Sequence, residues 1–231
     1  MHPARNRLMA LIARNRASER KYEIRAEGDA ATVYLYDVID PFWGVSAAQF
    51  VRDLAAVTAP TINLRINSPG GDVFDARAIA TAIAGHPSRV VAWVDGLAAS
   101  AASYIALAAD EVVMATGSFL MIHRAWTVAA GTAEDLLQTA GVLEKIDATL
   151  AEEYAQITGA SLDQVNSWLT AETWFTADEA VQNGFADRVA ETGAKASAWD
   201  LSVYEHAPKV DDEPHARDEA ARRFALVENI A

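Results

Sequence analysis

The chain has no cysteine. Disulfides, zinc–thiolate sites and thiol nucleophiles are therefore excluded, and a reducing, cytoplasmic setting is the natural expectation. Lysine is nearly as scarce, with Lys21, Lys145, Lys195 and Lys209 the only four in 231 residues. Positive charge is in deficit: 19 Lys and Arg stand against 32 Asp and Glu, a net −13. A protein that grips a phosphate backbone needs a basic face, so nucleic acid is not an expected partner. No apolar run approaches the roughly 20 residues that span a bilayer, so no membrane association is expected either. The G-x-x-x-x-G-K, G-x-G-x-x-G and H-E-x-x-H patterns are missing, and no His, Asp and Glu cluster at ligand spacing. The expectation is a protein without metal or cofactor.

What is present suits one α/β domain. Hydrophobic residues make up 52% of the chain, enough for a sizeable core. Residues 22–37 read as strand, turn, strand about Ala26-Glu27-Gly28-Asp29. Ser46 is placed to cap a helix beginning at Ala47, with Gln49 three residues on. Thr61 to Asn67 alternates apolar and polar, the signature of a half-buried strand, and stops at Ser68-Pro69-Gly70-Gly71-Asp72. A helix carrying Ile79, Ala80, Ile83 and Ala84 follows. Ser88 to Val94 is the next expected strand, broken by Gly96, and Ala98 to Ala109 reads as a buried helix. Glu111 to Ala115 and Phe119 to His123 are short strands. The longest helical pattern covers 132–158, with Thr132 as cap and Gly159 as terminator. Ser161 and Thr176 each cap a shorter helix.

Strands alternating with helices predict a largely parallel sheet with right-handed crossovers. The expected organisation is a basic N-terminal arm over 1–21, a domain over 22–189, and an acidic, solvated tail over 190–231, helical in part over 216–230. The apolar piece of the arm, Leu8 to Ala13, is too short and too closely flanked by arginine for a secretory signal.

Three places can carry chemistry. Ser100 stands where a strand gives way to an Ala-rich helix, where unpaired amides and the helix dipole favour a developing anion. By local pattern alone it reads as an ordinary helix cap, with Ser103 an equally polar rival. The Gly70-Gly71 pair allows positive φ and exposes a row of amides that can hold an oxyanion. His123 ends an apolar strand and alone would pass for a buried structural histidine. The other four histidines fall in expected tails or, for His86, in a surface loop beside Pro87.

Taken in order, these pieces resemble the ClpP family of serine peptidases. The matching segments are Ile66-Asn67-Ser68-Pro69-Gly70-Gly71, Gly96-Leu97-Ala98-Ala99-Ser100, Met121-Ile122-His123, and Ala177 through Asp187. The likeness covers roughly residues 30–189. Within the family the chain is more similar to ClpP-like head-maturation peptidases of tailed phages and prophages, through His123-Arg124-Ala125-Trp126, the helix start Gly131 to Leu136, and Ala171-Glu172-Thr173-Trp174-Phe175. Housekeeping members carry Gln-Pro where this chain has Arg124-Ala125.

The resemblance implies the ClpP/crotonase-like ββα superhelix with a long handle-type helix over 132–158. It implies Ser100 as nucleophile, His123 as base, Gly71 and Ala101 as oxyanion donors, and Gly70 and Asp72 beside the substrate. It further implies a homo-oligomeric ring acting on protein or peptide substrates, capsid or scaffold proteins among them. One position departs from the pattern: the family's third catalytic residue, an Asp, is replaced by Thr173. Its hydroxyl can accept from the imidazole but supplies no charge. Glu172 is the alternative orienter, pointing away from Thr173 if 171–175 is extended; a Ser–His pair without a third member is another. The rival readings are a Ser–Lys peptidase using Lys145, a crotonase-type acyl-CoA enzyme, and a degenerate ring or scaffold protein.

Overall fold

Period-two alternation and well-placed helix caps set most of the elements. The computed structural model describes residues 21–193, 199 and 201–208. In chain order these form β1 (Lys21–Glu27), β2 (Ala30–Tyr36), α1 (Ala47–Ala55), β3 (Thr61–Ser68), α2 (Val73–Ala84), β4 (Arg89–Ala99), α3 (Ala101–Ala106), β5 (Glu111–Thr116), β6 (Phe119–Ile122), α4 (Ala133–Thr158), α5 (Leu162–Thr170), β7 (Thr173–Thr176), α6 (Ala177–Gln182) and β8 (Arg188–Gly193). The N-terminal arm and the helix expected over 216–230 lie outside the described residues.

The main sheet runs β1-β2-β3-β4-β5-β8. Only the β1–β2 hairpin in this row is antiparallel; the remaining pairs are parallel. On β3, Ile62, Leu64 and Ile66 all face inward and are fully buried. They meet Phe50 and Leu54 of α1 and Ile79 and Ile83 of α2 in one core. Each such side chain contributes about 1.5–3 kcal/mol on burial. The other face of the sheet is mixed, with Arg65 paired to Asp95 and Trp93 Nε1 donating to Asn63 Oδ1 beside a small apolar cluster of Val91, Val113 and Ala190. The architecture is the α/β arrangement expected from the sequence.

The expected helix caps are in place. Thr132 and Thr176 each complete a reciprocal capping box, and Ser46 and Ser161 accept from the third amide of their helices. Gly159, in the left-handed region at φ 72°, ends α4.

Two boundaries differ from expectation, and both matter for the site. Gly96 does not break β4. The strand continues to Ala99, because its first half pairs with β5 while Leu97, Ala98 and Ala99 pair with Phe119, Leu120 and Met121 of β6. β6 in turn pairs antiparallel with β7. β4 thus feeds two partners in succession, and the helix expected from Ala98 begins only at Ala101. The second difference lies after residue 189. β8 runs on to Gly193, and Trp199 and Tyr204 are buried, at 8% and 9% exposure, in a second apolar cluster with Val38, Leu97, Ala99 and Met121. A local acidic composition does not register such long-range aromatic burial.

Candidate active site

Ser100 is the single residue between β4 and α3. Its backbone takes φ 53° and ψ −123°, a left-handed strand-to-helix elbow for a residue with a side chain. Such geometry costs about 1–3 kcal/mol and persists only where neighbours enforce it. Here the Ser100 N–H donates to the Met121 carbonyl at 2.8 Å, and its carbonyl accepts from the Ser103 N–H at 3.0 Å and hydroxyl at 2.7 Å. The elbow is therefore bolted to β6 on one side and to α3 on the other. Ser100 occupies the N-cap position but makes no side-chain cap bond, unlike the ordinary capping serine that its local pattern resembles.

Its hydroxyl instead meets His123: Oγ and Nε2 are 2.8 Å apart. Pairing of Met121 with Ala99 carries β6 past the elbow, so the next residue but one, His123, arrives beside Ser100. Ser103, the rival nucleophile, is fully buried. Its one proton goes to the Ser100 carbonyl, so the 3.0 Å contact with Tyr154 has the tyrosine donating. Lys145 is exposed on α4 and does not line the cleft that holds Ser100 and His123.

The glycine loop closes the third side. Ile39 donates to the Gly70 carbonyl at 2.9 Å and accepts from the Asp72 N–H at 2.8 Å, forming a one-residue parallel bridge to Gly71. In that bridge the N–H of Gly71 points away from Ile39. A Cβ on Gly70 would lie 2.9 Å from the Ser100 Cβ and 2.5 Å from the Ala99 carbonyl oxygen, so only glycine allows this approach to the elbow. Ala101 opens α3, leaving its N–H without a helical partner. The other two expected contact residues are occupied internally. Gly70 N–H donates to Ser68 Oγ, and the Asp72 carboxylate caps α2 by accepting from Phe74 and Asp75.

Ser100, Ala101, Gly71, Asp72 and His123 line one cleft of about 510 Å³. Trp126, Val128 and Leu143 give it an apolar wall. The segment leaving His123 is held by Asp147 of α4, which accepts from the Ala125 N–H at 2.7 Å. Burial raises the Asp147 pKa, and that bond and the nearby Arg124 oppose the rise.

Thr173 stands opposite Ile122 in the β6–β7 register, next to the histidine. Its hydroxyl donates to the Trp168 carbonyl at 2.9 Å, and among the described residues no hydrogen bond joins it to His123. Glu172 does not continue β7. It sits in a left-handed turn at φ 49°, and its carboxylate accepts from the backbone N–H groups of Glu205 and His206 at 3.0 and 2.7 Å. The imidazole packs edge-on to the Tyr204 ring, centroids 5.5 Å apart. Burial pulls the His123 pKa down to about 4, and the Glu172 charge offsets only part of that. Tyr204 is the site neighbour that sequence reasoning missed. The available signal was a short apolar grouping, Trp199, Leu201, Val203 and Tyr204.

Among the described residues no group of three His, Asp or Glu side chains is placed to hold a metal ion, and no helix is long and apolar enough to cross a membrane. Comparison with known proteins is consistent along the whole domain. The sequence model of the Clp protease family matches residues 31–193. The chain is 34% identical over 169 residues to the ATP-dependent Clp protease proteolytic subunit 1 of Protochlamydia amoebophila, covering 70% of this chain and 81% of that one. It is 32% identical over 148 residues to the corresponding subunit 1 of Leifsonia xyli, covering 63% and 75%. Subunit 3 of Rhodococcus jostii is 30% identical over 167 residues, covering 71% and 80%.

Proposed function

The chain belongs to the Clp protease family and is thereby a serine-type peptidase, and we propose that Ser100 and His123 carry its chemistry as an endopeptidase. The observation that carries this reading is the 2.8 Å contact between Ser100 Oγ and His123 Nε2 at a strained elbow. With the imidazole proton on Nδ1, Nε2 accepts from the hydroxyl. As Oγ attacks the scissile carbonyl, its proton passes to Nε2 and the carbonyl oxygen becomes an oxyanion. The N–H groups of Gly71 and Ala101 stabilise that oxyanion. Nε2–H then protonates the leaving amine and the C–N bond breaks, leaving an acyl ester on Ser100. A water, deprotonated by His123, attacks the ester and restores the hydroxyl. The substrate lies as an added strand between the Gly71 loop and the segment after His123, its side chains against Trp126, Val128 and Leu143. The acyl-CoA reading needs no Ser–His pair and leaves this contact without a role. A fluorophosphonate probe tests the proposal: it should label Ser100 in wild type, and labelling that survives in Ser100→Ala sinks it.

The catalytic unit proposed is a dyad. Among the described residues no hydrogen bond joins Thr173 to His123, and its hydroxyl meets Trp168 instead, so Thr173→Ala is expected to keep kcat within about fivefold of wild type. Loss of a third triad member that sets the tautomer would instead cost about 10⁴-fold. Steady-state kinetics of Thr173→Ala separate the two.

The acid limb of kcat/KM follows from the buried histidine. Protonation destroys the base, and it occurs at about pH 4 rather than at the ordinary 6.5. Activity should therefore hold from neutrality down to about pH 5 and fall through pH 4. The same depression works on stability: the contribution is complete above pH 6.5 and is lost as pH falls toward 4, where the unfolded chain binds the proton more readily. A pH–rate profile with its acid limb at 6.5 would contradict this.

Phage or prophage head maturation is the biological setting we propose, with capsid or scaffold proteins as substrates in a bacterial cytoplasm. The residues after His123, Arg124-Ala125-Trp126, support it. A homo-oligomeric ring is supported by the exposed apolar residues Leu136, Leu137 and Val142 along α4. Incubation with candidate prohead proteins, read by mass spectrometry of the cut ends, tests the substrate. Light scattering of the full chain tests the ring.

A further inference from the structure

The imidazole of a Ser–His pair needs a second constraint. Held at one nitrogen only, its ring turns readily, because the torsion to an aromatic ring is broad and only two-fold. His123 has one hydrogen bond among the described residues, the one to Ser100. Its neighbour Thr173 is turned to Trp168. What packs on the imidazole is Tyr204, with the rings at 85°.

Tyr204 does not drift there. Its segment is tied down at three points. Trp199 Nε1 donates to the Asn67 carbonyl at 3.2 Å. The Tyr204 hydroxyl donates to the Pro69 carbonyl, immediately before the glycine pair. The Glu172 carboxylate accepts from the two amides that follow Tyr204. On its far side the phenol ring stacks edge-on against Trp174, centroids 5.6 Å apart. One side chain therefore touches the histidine, reaches the glycine loop and lines the cleft.

We infer that Tyr204 is a positioning residue for the Ser–His pair, its ring holding the His123 imidazole toward Ser100 and its hydroxyl holding the loop that carries Gly71. The inference rests on the peptidase reading and deepens it: a strap from beyond the family-like region supplies the constraint that the missing carboxylate would otherwise provide. The groups facing the imidazole are Ser100 from the elbow, Glu172 from the turn before β7, and Tyr204 from the strap. Of these Glu172 is the charged one, and it favours the protonated ring. Tyr204 acts in the opposite sense, by keeping water off the ring.

The test compares full-length wild type with Tyr204→Ala, Tyr204→Leu and Tyr204→Phe. Tyr204→Ala should lower kcat by about 10–100-fold with little change in KM, the size of effect that misplacement of a reacting group produces. Its acid limb, and the His123 imidazole pKa read by NMR, should move up from about 4 toward 6.5. Tyr204→Leu keeps apolar volume without a ring and should show the same kcat loss if Tyr204→Ala proves too unstable to assay. Tyr204→Phe should recover most of the loss, because the ring remains. Wild-type kcat and an unmoved imidazole pKa in Tyr204→Ala and Tyr204→Leu would overturn the inference. So would faster cleavage in either variant, which would make the strap a cover rather than a support. If Ser100 is never labelled in wild type, the peptidase reading fails by itself. The NMR titration still decides whether Tyr204 governs His123.

Discussion

Ser100→Ala is expected to lower kcat for peptide hydrolysis by about 10⁴–10⁶-fold, with folding untouched. The two halves of that expectation have separate grounds. The hydroxyl makes no cap bond and is instead 2.8 Å from His123 Nε2. Alanine keeps the Cβ that already tolerates φ 53°, and the backbone bonds to Met121 and Ser103 do not involve the side chain. The melting temperature should therefore stay within a few degrees of wild type, corresponding to less than about 1 kcal/mol. His123→Ala should fall to a similar rate, and the double variant should fall no further, because nucleophile and base act as a unit. A residual rate from the oxyanion donors, about 10³–10⁴ over water, marks the floor. Single-turnover cleavage by the three variants measures this. Retention of a tenth of the wild-type rate in Ser100→Ala, or additive losses in the double variant, would remove Ser100 from its role.

Gly71→Ala is expected to damage stability and catalysis together. Gly71 has φ 151°, where a side chain is strained, and a Cβ there would lie 1.9 Å from the Ile39 carbonyl oxygen. That oxygen belongs to backbone pinned on Asp72, so it has little room to retreat. The loop must shift instead, at about 1–3 kcal/mol. A shift carries the Gly71 N–H off the oxyanion position, and loss of one such donor lowers kcat by about 10²–10³-fold. Gly28→Ala is the control. It too has positive φ, 62°, but nothing lies within 4 Å of its added Cβ and it sits in the β1–β2 turn. It should cost about 1 kcal/mol and leave kcat alone. Chemical denaturation alongside steady-state kinetics for both variants checks the pair. Full activity in Gly71→Ala would take that amide out of the oxyanion hole.

The same contrast between local and distant partners divides what could be read in advance. The caps at Ser46, Thr132, Ser161 and Thr176 are agreements between residues three apart, and each stands in the structure. The alternation of Ile62, Leu64 and Ile66 announces β3 because period two is a property of the strand alone. The order of the glycine pair, Ser100 and His123 is likewise legible, and the fold brings Gly71, Ser100 and His123 to one cleft.

Local pattern ends β4 at Gly96, since nothing near that residue says that β6 will pair with Leu97 to Ala99. Position in the chain makes Thr173 the expected orienter of His123. The fold instead aims its hydroxyl at Trp168, five residues back. An extended course through 171–175 would turn Glu172 away from Thr173, whereas the chain turns through φ 49° there and gives its carboxylate to the strap.

By itself, then, the sequence determined the α/β class, the capped helix starts after Ser46, Thr132, Ser161 and Thr176 and the loop that only glycine can make, while its family resemblance pointed to Ser100 and His123 as partners. Tertiary structure decided the strained angle at Ser100, the partner of Thr173 and the burial of Tyr204 against His123. The physical reason is range. Propensity, periodicity and capping act over a few residues and leave a pattern in composition. The bond from Tyr204 to Pro69 spans 135 positions and becomes favourable only once β4, β6 and β7 have built the surface that receives it.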